Sequence, residues 1–125
     1  MELFYYRTLS VYQNAKKLAQ TINTLLRTFP KEELFALTAQ LRRASTSVMF
    51  NIAEGFGRYT NKERIRFLDI ANGSLMETSS ELELAESFGY IDHKTLSDID
   101  QDILVIVKQL SKLRLTLQTE NNKES

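Results

Sequence analysis

Leu96, Ile99, Ile103, Ile106, Leu110, Leu113 and Leu117 follow one another at intervals of three and four residues without a break. Such spacing gathers every member on one side of an α-helix and would scatter them over both faces of a strand. The same period runs through Val11, Ala15, Leu18, Ile22, Leu25 and Phe29, through Leu34, Leu37, Leu41, Ala44 and Val48, and through Phe67, Ala71, Ser74, Thr78, Leu82 and Ala85. Between these stretches fall Pro30, then Gly55 and Gly57, then Gly89. Pro is suited to opening a helix and Gly to closing one. Thr60 and Glu63 add a capping box where the third helix should begin. The connections are only a few residues long, so neighbouring helices should run antiparallel, crossing at about 20°. The expected fold is all-α: an antiparallel up-down-up-down four-helix bundle forming one domain over residues 1–118. Residues 119–125, TENNKES, read as a polar, frayed tail.

Composition narrows the function classes. The chain has 125 residues, enough for one buried core, and no Cys, which removes disulfides and thiolate metal sites. A reduced, cytoplasmic setting is expected. The opening MELFYYRTLSV carries Glu2 and Arg7 and does not read as a signal peptide. No apolar run approaches the roughly 18–20 residues that span a bilayer, so no membrane partner is expected. Net charge is zero, with 16 basic and 16 acidic residues, yet the halves differ. Residues 1–59 hold eight Lys/Arg and four Asp/Glu (net +4), and residues 60–125 hold eight and twelve (net −4). Proteins that coat nucleic acid are usually basic overall, because phosphate neutralisation supplies most of the affinity. Binding of RNA or DNA here would need a local patch or several copies of one.

The stretch LRRASTSVMFNIAEGFGR, Leu41 to Arg58, has no charge between Arg43 and Glu54. At about 100° per residue, Ala44, Val48 and Ile52 face the core, while Met49, Ala53 and Phe56 share a second face. Ser47 and Asn51 form a small polar stripe beside Arg43 and Glu54. In the third helix, Ile70 to Met76 is uncharged and contains Gly73. A mid-helix Gly costs about 1 kcal/mol relative to Ala, which points to a close backbone approach there. Large apolar patches are rare on monomers. These features predict a homo-oligomer with Ser47, Met49, Asn51, Ala53, Phe56, Gly73 and Met76 at its interface. Arg43, Asn51, Glu54 and Glu77 would form a polar network that fixes register between helices or subunits.

Three segments carry a resemblance: Gln40-Leu41-Arg42-Arg43-Ala44, Asn51-Ile52-Ala53-Glu54-Gly55, and Gly73-Ser74-Leu75 followed by Glu77. Together, and across Val11 to Leu117, the chain resembles the four-helix-bundle family of proteins encoded in intervening sequences of 23S rRNA genes. The resemblance implies a small bundle assembling as a homopentamer. It also implies kinship to the accessory protein of diversity-generating retroelements, which binds nucleic acid and a reverse transcriptase. That accessory protein is basic overall, whereas this chain is neutral.

Catalysis finds little support. GFGR lacks the Gly-Lys-Ser/Thr of a phosphate loop and reads as a helix-ending turn, with Gly55 or Gly57 in a left-handed conformation. The single histidine, His93, falls in the turn DHK and reads as a solvated residue. A di-iron bundle would need a Glu-x-x-His on each of two helices. The acids from Glu77 to Asp102, including Glu81 and Asp98, read as a solvated face. No enzyme activity, metal or cofactor is expected. The remaining feature is a cluster of cations, Arg58, Lys62, Arg64 and Arg66, with Arg42 near and Tyr59 between. Repeated around a ring, it could bind RNA or DNA by avidity. The competing reading is a protein-binding scaffold with no nucleic-acid role, for which neutral net charge argues.

Overall fold

The computed structural model describes residues 3–124, with side chains over 3–120. Four helices hold most of the chain: α1 (Ser10–Leu26), α2 (Leu37–Phe56), α3 (Asn61–Ser87) and α4 (His93–Glu124). Two 3-10 turns, Tyr5–Thr8 and Lys31–Glu33, precede α1 and α2, and there is no strand among the described residues. The three-four series supply the core, with Leu18, Ile22, Leu41, Val48, Ile52, Leu75, Leu82 and Ile106 almost wholly buried.

The helix ends follow their local chemistry. Thr60 Oγ1 accepts from the Glu63 backbone N–H at 3.2 Å, so the expected cap opens α3. Gly89 has φ +80°, the left-handed region that glycine enters freely. The backbone N–H groups of Gly89 and Tyr90 donate to the carbonyls of Glu86 and Ala85, both at 2.9 Å, the paired bonds of a Schellman turn. Asp92 Oδ1 accepts from Thr95 N–H at 2.8 Å at the start of α4, and hydrogen bonding from the Thr95 side chain first, and then from this backbone N–H, holds the Asp92 carboxyl below its ordinary pKa.

Three boundaries differ from expectation. The second helix begins at Leu37 rather than just after Pro30, where its series from Leu34 and the helix-opening proline place its start. Pro30 starts a separate 3-10 turn, and Ala36, at φ −119° and ψ −105°, breaks the path between them. Leu34 is consequently 54% exposed instead of lying in the core series. At the other end, Gly57 closes α2 in a right-handed conformation (φ −85°), and Gly55 lies within the helix, so neither supplies the expected left-handed turn. Finally, α4 extends to Glu124, beyond the expected boundary at Gln118. No Pro or Gly stops it, and Asn61 at the start of α3 donates to the Leu117 carbonyl (3.3 Å) and to Glu120 (3.4 Å). Ser125, the last residue of the expected tail, lies outside the described residues.

Each helix packs on its sequence neighbours, and α1 also packs on α4. Along α3 and α4 the partners run in reversed order: Asn61 with Leu117, Asp69 with Arg114, Ser79 with Asp100 and Glu86 with His93. At the α1/α2 and α3/α4 loops, Tyr90 stacks at 5.5 Å on Phe29 and donates to Glu33 at 2.7 Å. That bond raises the Tyr90 pKa.

Candidate nucleic-acid and subunit interfaces

The cations predicted to bind nucleic acid do not form one cluster. Arg42 lies about 24 Å from Arg58 along α2 at the ordinary helical rise. It faces α1, where it donates to Asn23 at 2.5 Å and borders a groove of about 300 Å³ with Lys16, Ser45 and Met49. The other four sit around the α2/α3 turn, in three different environments. Arg58 pairs with Glu54 at 2.9 Å and lies 4.5 Å above the Phe67 ring. Arg64 donates to Asn61 at 2.7 Å, and Asn61 in turn holds the end of α4, which makes Arg64 part of the scaffold. Lys62 is exposed, and Arg66 is 70% exposed with only a 3.9 Å contact to Glu63. Lys62 and Arg66 are therefore the members best presented to a polyanion, with Tyr59 (98% exposed) beside them.

The fold adds cations that the linear cluster omits. The half of the molecule holding the α2/α3 turn also holds the start of α1 and the end of α4. Residues 3–17, 48–73 and 108–120 carry ten Lys/Arg against four Asp/Glu, net +6. The opposite half, residues 18–47 and 74–107, carries five against ten, net −5. Arg7, Lys108, Lys112 and Arg114 are among the additions. Arg114 forms a two-bond pair with Asp69 across α3 and α4 (2.8 and 3.3 Å), which raises its pKa further.

The predicted interface residues also divide. Met49 and Phe56 are half-buried and pack against the core, so their stripe is largely covered within the chain. Ala53 is half-buried, whereas Gly73 and Met76 are exposed, Met76 by 49%. Gly73 makes no close approach: a Cβ there would meet nothing within 4 Å. The close approach is at Gly55, where a Cβ would stand 3.1 Å from the Phe67 Cβ and 3.4 Å from the Arg64 carbonyl oxygen. Phe50 (60% exposed) on α2 and Ile70 (41%) on α3 are among the large apolar groups left open. Neither was singled out from the sequence, because the uncharged run around each hides which residue turns outward.

Between α2 and α3 lies a seam of small polar groups. Ser74 Oγ donates to Ser47 Oγ at 2.9 Å, Asn51 Nδ2 reaches the Ser47 carbonyl and Oγ at 2.8 Å, and buried Thr78 donates to the Ser74 carbonyl at 2.8 Å. The expected four-residue network is split along this seam. Asn51 bonds within its own helix and Glu54 turns to Arg58, while Glu77 and Arg43 act on a carboxyl absent from the expected set, Glu81. Glu81 is only 9% exposed. Burial, and then the adjacent Glu77, push its pKa up to about 7 against the opposing pull of Arg43. Its spacing held a signal: Glu81 lies three residues after Thr78 and seven after Ser74, in phase with the buried face.

This four-helix arrangement and the motifs on it can be set against known proteins. The sequence profile of the 23S rRNA-intervening sequence proteins matches residues 7–112. The chain belongs to that family. It is also similar to a crystal structure, described as a protein of unknown function from the S23 ribosomal protein family of Bacteroides thetaiotaomicron. The two share 27% identity with a TM-score of 0.77, over 83% of this chain and 97% of the other. Among curated proteins, none matches.

Among the described residues, no helix is long and apolar enough to cross a membrane. No group of three or more His, Cys, Asp or Glu is placed among them to hold a metal ion. His93 is the first residue of α4 rather than a turn residue, with its Nδ1 2.9 Å from Glu86. It is 86% exposed at the side chain.

Proposed function

We propose that this family member is a non-catalytic subunit that self-associates and presents its basic half to RNA or DNA. The observation that carries this reading is the division of charge, net +6 in one half and −5 in the other, in a chain whose total is zero. A field concentrated at one end attracts phosphate as a neutral average would not. Several copies with their basic ends on one side would engage a polyanion together. The reversed pairing along α3 and α4 and the short connections favour an antiparallel up-down-up-down bundle, which is what gathers those charges. Exposed Phe50 and Ile70 and the open Gly73 favour self-association through the outer side of α2 and α3. Five subunits are the number that the family resemblance implies.

A protein-binding scaffold is the second reading. Phe35 (92% exposed), Leu34 and Phe88 (53%) favour it, since they crowd the loops of the acidic half and suit a protein partner, such as a reverse transcriptase.

The test is fluorescence anisotropy with nuclease-treated protein, structured RNA and duplex DNA, titrated from about 50 mM salt upward. Log affinity should fall steeply with log salt, because several phosphates are engaged at once. The triple variant Arg58→Glu, Lys62→Glu, Arg66→Glu should abolish binding. Undiminished binding by that variant would remove the basic end from the reading, and no binding by the unaltered chain would leave the scaffold.

A further inference from the structure

Between α3 and α4, in the basic half of the molecule, lies a groove of about 270 Å³. Buried Leu68 and Leu110 form its apolar floor, and Asp69, Asn72, Ser111 and Arg114 stand around its rim. Small-molecule sites usually begin at about 300 Å³, so this one suits a single planar ring rather than a whole nucleotide. The rim restricts what that ring can be. Arg114 donates to both carboxylate oxygens of Asp69, at 2.8 and 3.3 Å. The two bonds fix the guanidinium plane while Asp69 offsets its charge, so Arg114 offers a stacking face more than a phosphate contact. The Asn72 amide and the Ser111 hydroxyl bond to nothing among the described residues. They leave both donors and acceptors free for the edge of a polar ring.

A wider depression of about 450 Å³ shares Ser111 and Arg114 with the groove and adds Lys108 and Lys112. Both lysines are exposed and form no ion pair among the described residues. They stand one turn apart on α4, about 6 Å along its axis. An apolar slot with a hydrogen-bonding rim, flanked by two free cations, matches a base attached to a phosphate backbone.

We propose that this groove takes one unpaired base of a single-stranded nucleic acid, with Lys108 and Lys112 on the adjoining phosphates. The proposal rests on the basic-half reading above and names the form of nucleic acid that half binds. A base inside a duplex is paired and stacked, so its ring cannot enter a slot between two helices without being flipped out. A single strand presents its rings already splayed. Asn72 lies about 160° around α3 from Ile70, so self-association through Ile70 leaves the groove open.

Fluorescence anisotropy at one low salt concentration tests this with three DNA probes: a single strand of about 12 nucleotides, within the usual site size, its duplex, and an abasic strand of equal length. The unaltered chain should bind the single strand at least about tenfold more tightly than the abasic strand, the equivalent of one stacked base, and more tightly than the duplex. Ser111→Leu fills the groove from an exposed helical position and changes no charge, with circular dichroism as the check on folding. It should lose that tenfold on the normal strand and nothing on the abasic one. Lys108→Gln with Lys112→Gln should weaken both strands alike and flatten the salt dependence. Equal affinity for the normal and abasic strands, tighter binding of the duplex, or a Ser111→Leu effect that does not distinguish the two strands overturns the groove and leaves the basic half as a phosphate surface. Displacement of the strand by an equal concentration of nucleoside monophosphate would make the ligand a free nucleotide and overturn the strand. No binding of any probe overturns both readings.

Discussion

The seam between α2 and α3 and the seam between α1 and α4 are built from different materials. Of the four neighbouring helix pairs, α2 and α3 pack most extensively and α1 and α4 least. In the first, Gly55 lets Phe67 stand 3.1 Å from where a Cβ would be, and Ser47 bonds Ser74 across the gap. In the second, Leu18 lies beside Asp102 and Val105 along a groove of about 150 Å³, and the cross-links are Asn14 to Gln109 and Gln109 to Ser10, each at 3.0 Å. Small residues bring two backbones close and drive water from whatever lies between. Large ones hold the helices apart, contribute apolar area, and leave polar groups wet at the rim. Glu81 loses its water because it stands on the tight seam. Asp102 stays exposed because it stands on the loose one.

The two seams respond most strongly to apolar volume removed from the loose one or added to the tight one. Leu18→Ala should lose about 3–4 kcal/mol in a urea titration, since a nearly sealed leucine leaves both transfer and cavity costs. Gly55→Val should lose about 3 kcal/mol by the opposite mechanism, because its branches would meet the Phe67 Cβ and the Arg64 carbonyl. If Gly55→Val were harmless, the tight seam would not be tight.

Glu81→Gln sharpens the contrast with a pH signature. The Glu81 pKa is about 7 in the folded chain against an ordinary 4.5. The folded state therefore binds its proton more strongly than the unfolded chain does. The associated stability is fully present below about pH 4.5 and is lost as pH rises through 7. At concentrations where the chain is monomeric, Glu81→Gln should match the unaltered protein near pH 4. It should exceed it at pH 8 by about 1–2 kcal/mol, after allowance for solvent screening. A gain that did not change between these pH values would place its origin elsewhere.

The smallest effect belongs to Gly73→Ala. With nothing within 4 Å of a new Cβ, ordinary helix propensity should govern, and the monomer should gain about 0.5–1 kcal/mol in thermal or urea unfolding. Weakened self-association in the same variant would show that the close approach expected at Gly73 occurs between copies.

The sequence by itself determined the helices. The three-four series needs only a regular backbone and neighbours within a few turns, so α1 to α4, the stop at Gly89 and the start at Thr60 were legible in it. It was less informative wherever two distant stretches compete for one space. That Gly55 rather than Gly73 carries the close approach depends on where α3 crosses α2. Met49 and Phe56 pack against the core, leaving Phe50 and Ile70 outside. The acids from Glu77 to Asp102 look alike in sequence, yet only the seam removes Glu81 from water. Charge shows the same division of labour. The sequence fixes a modest imbalance between its two halves, and the folding of α4 back along α3 brings Lys108, Lys112 and Arg114 to the α2/α3 turn. Local periodicity is a property of neighbours in the chain; burial and electric field belong to neighbours in space, and those exist only once the helices have packed.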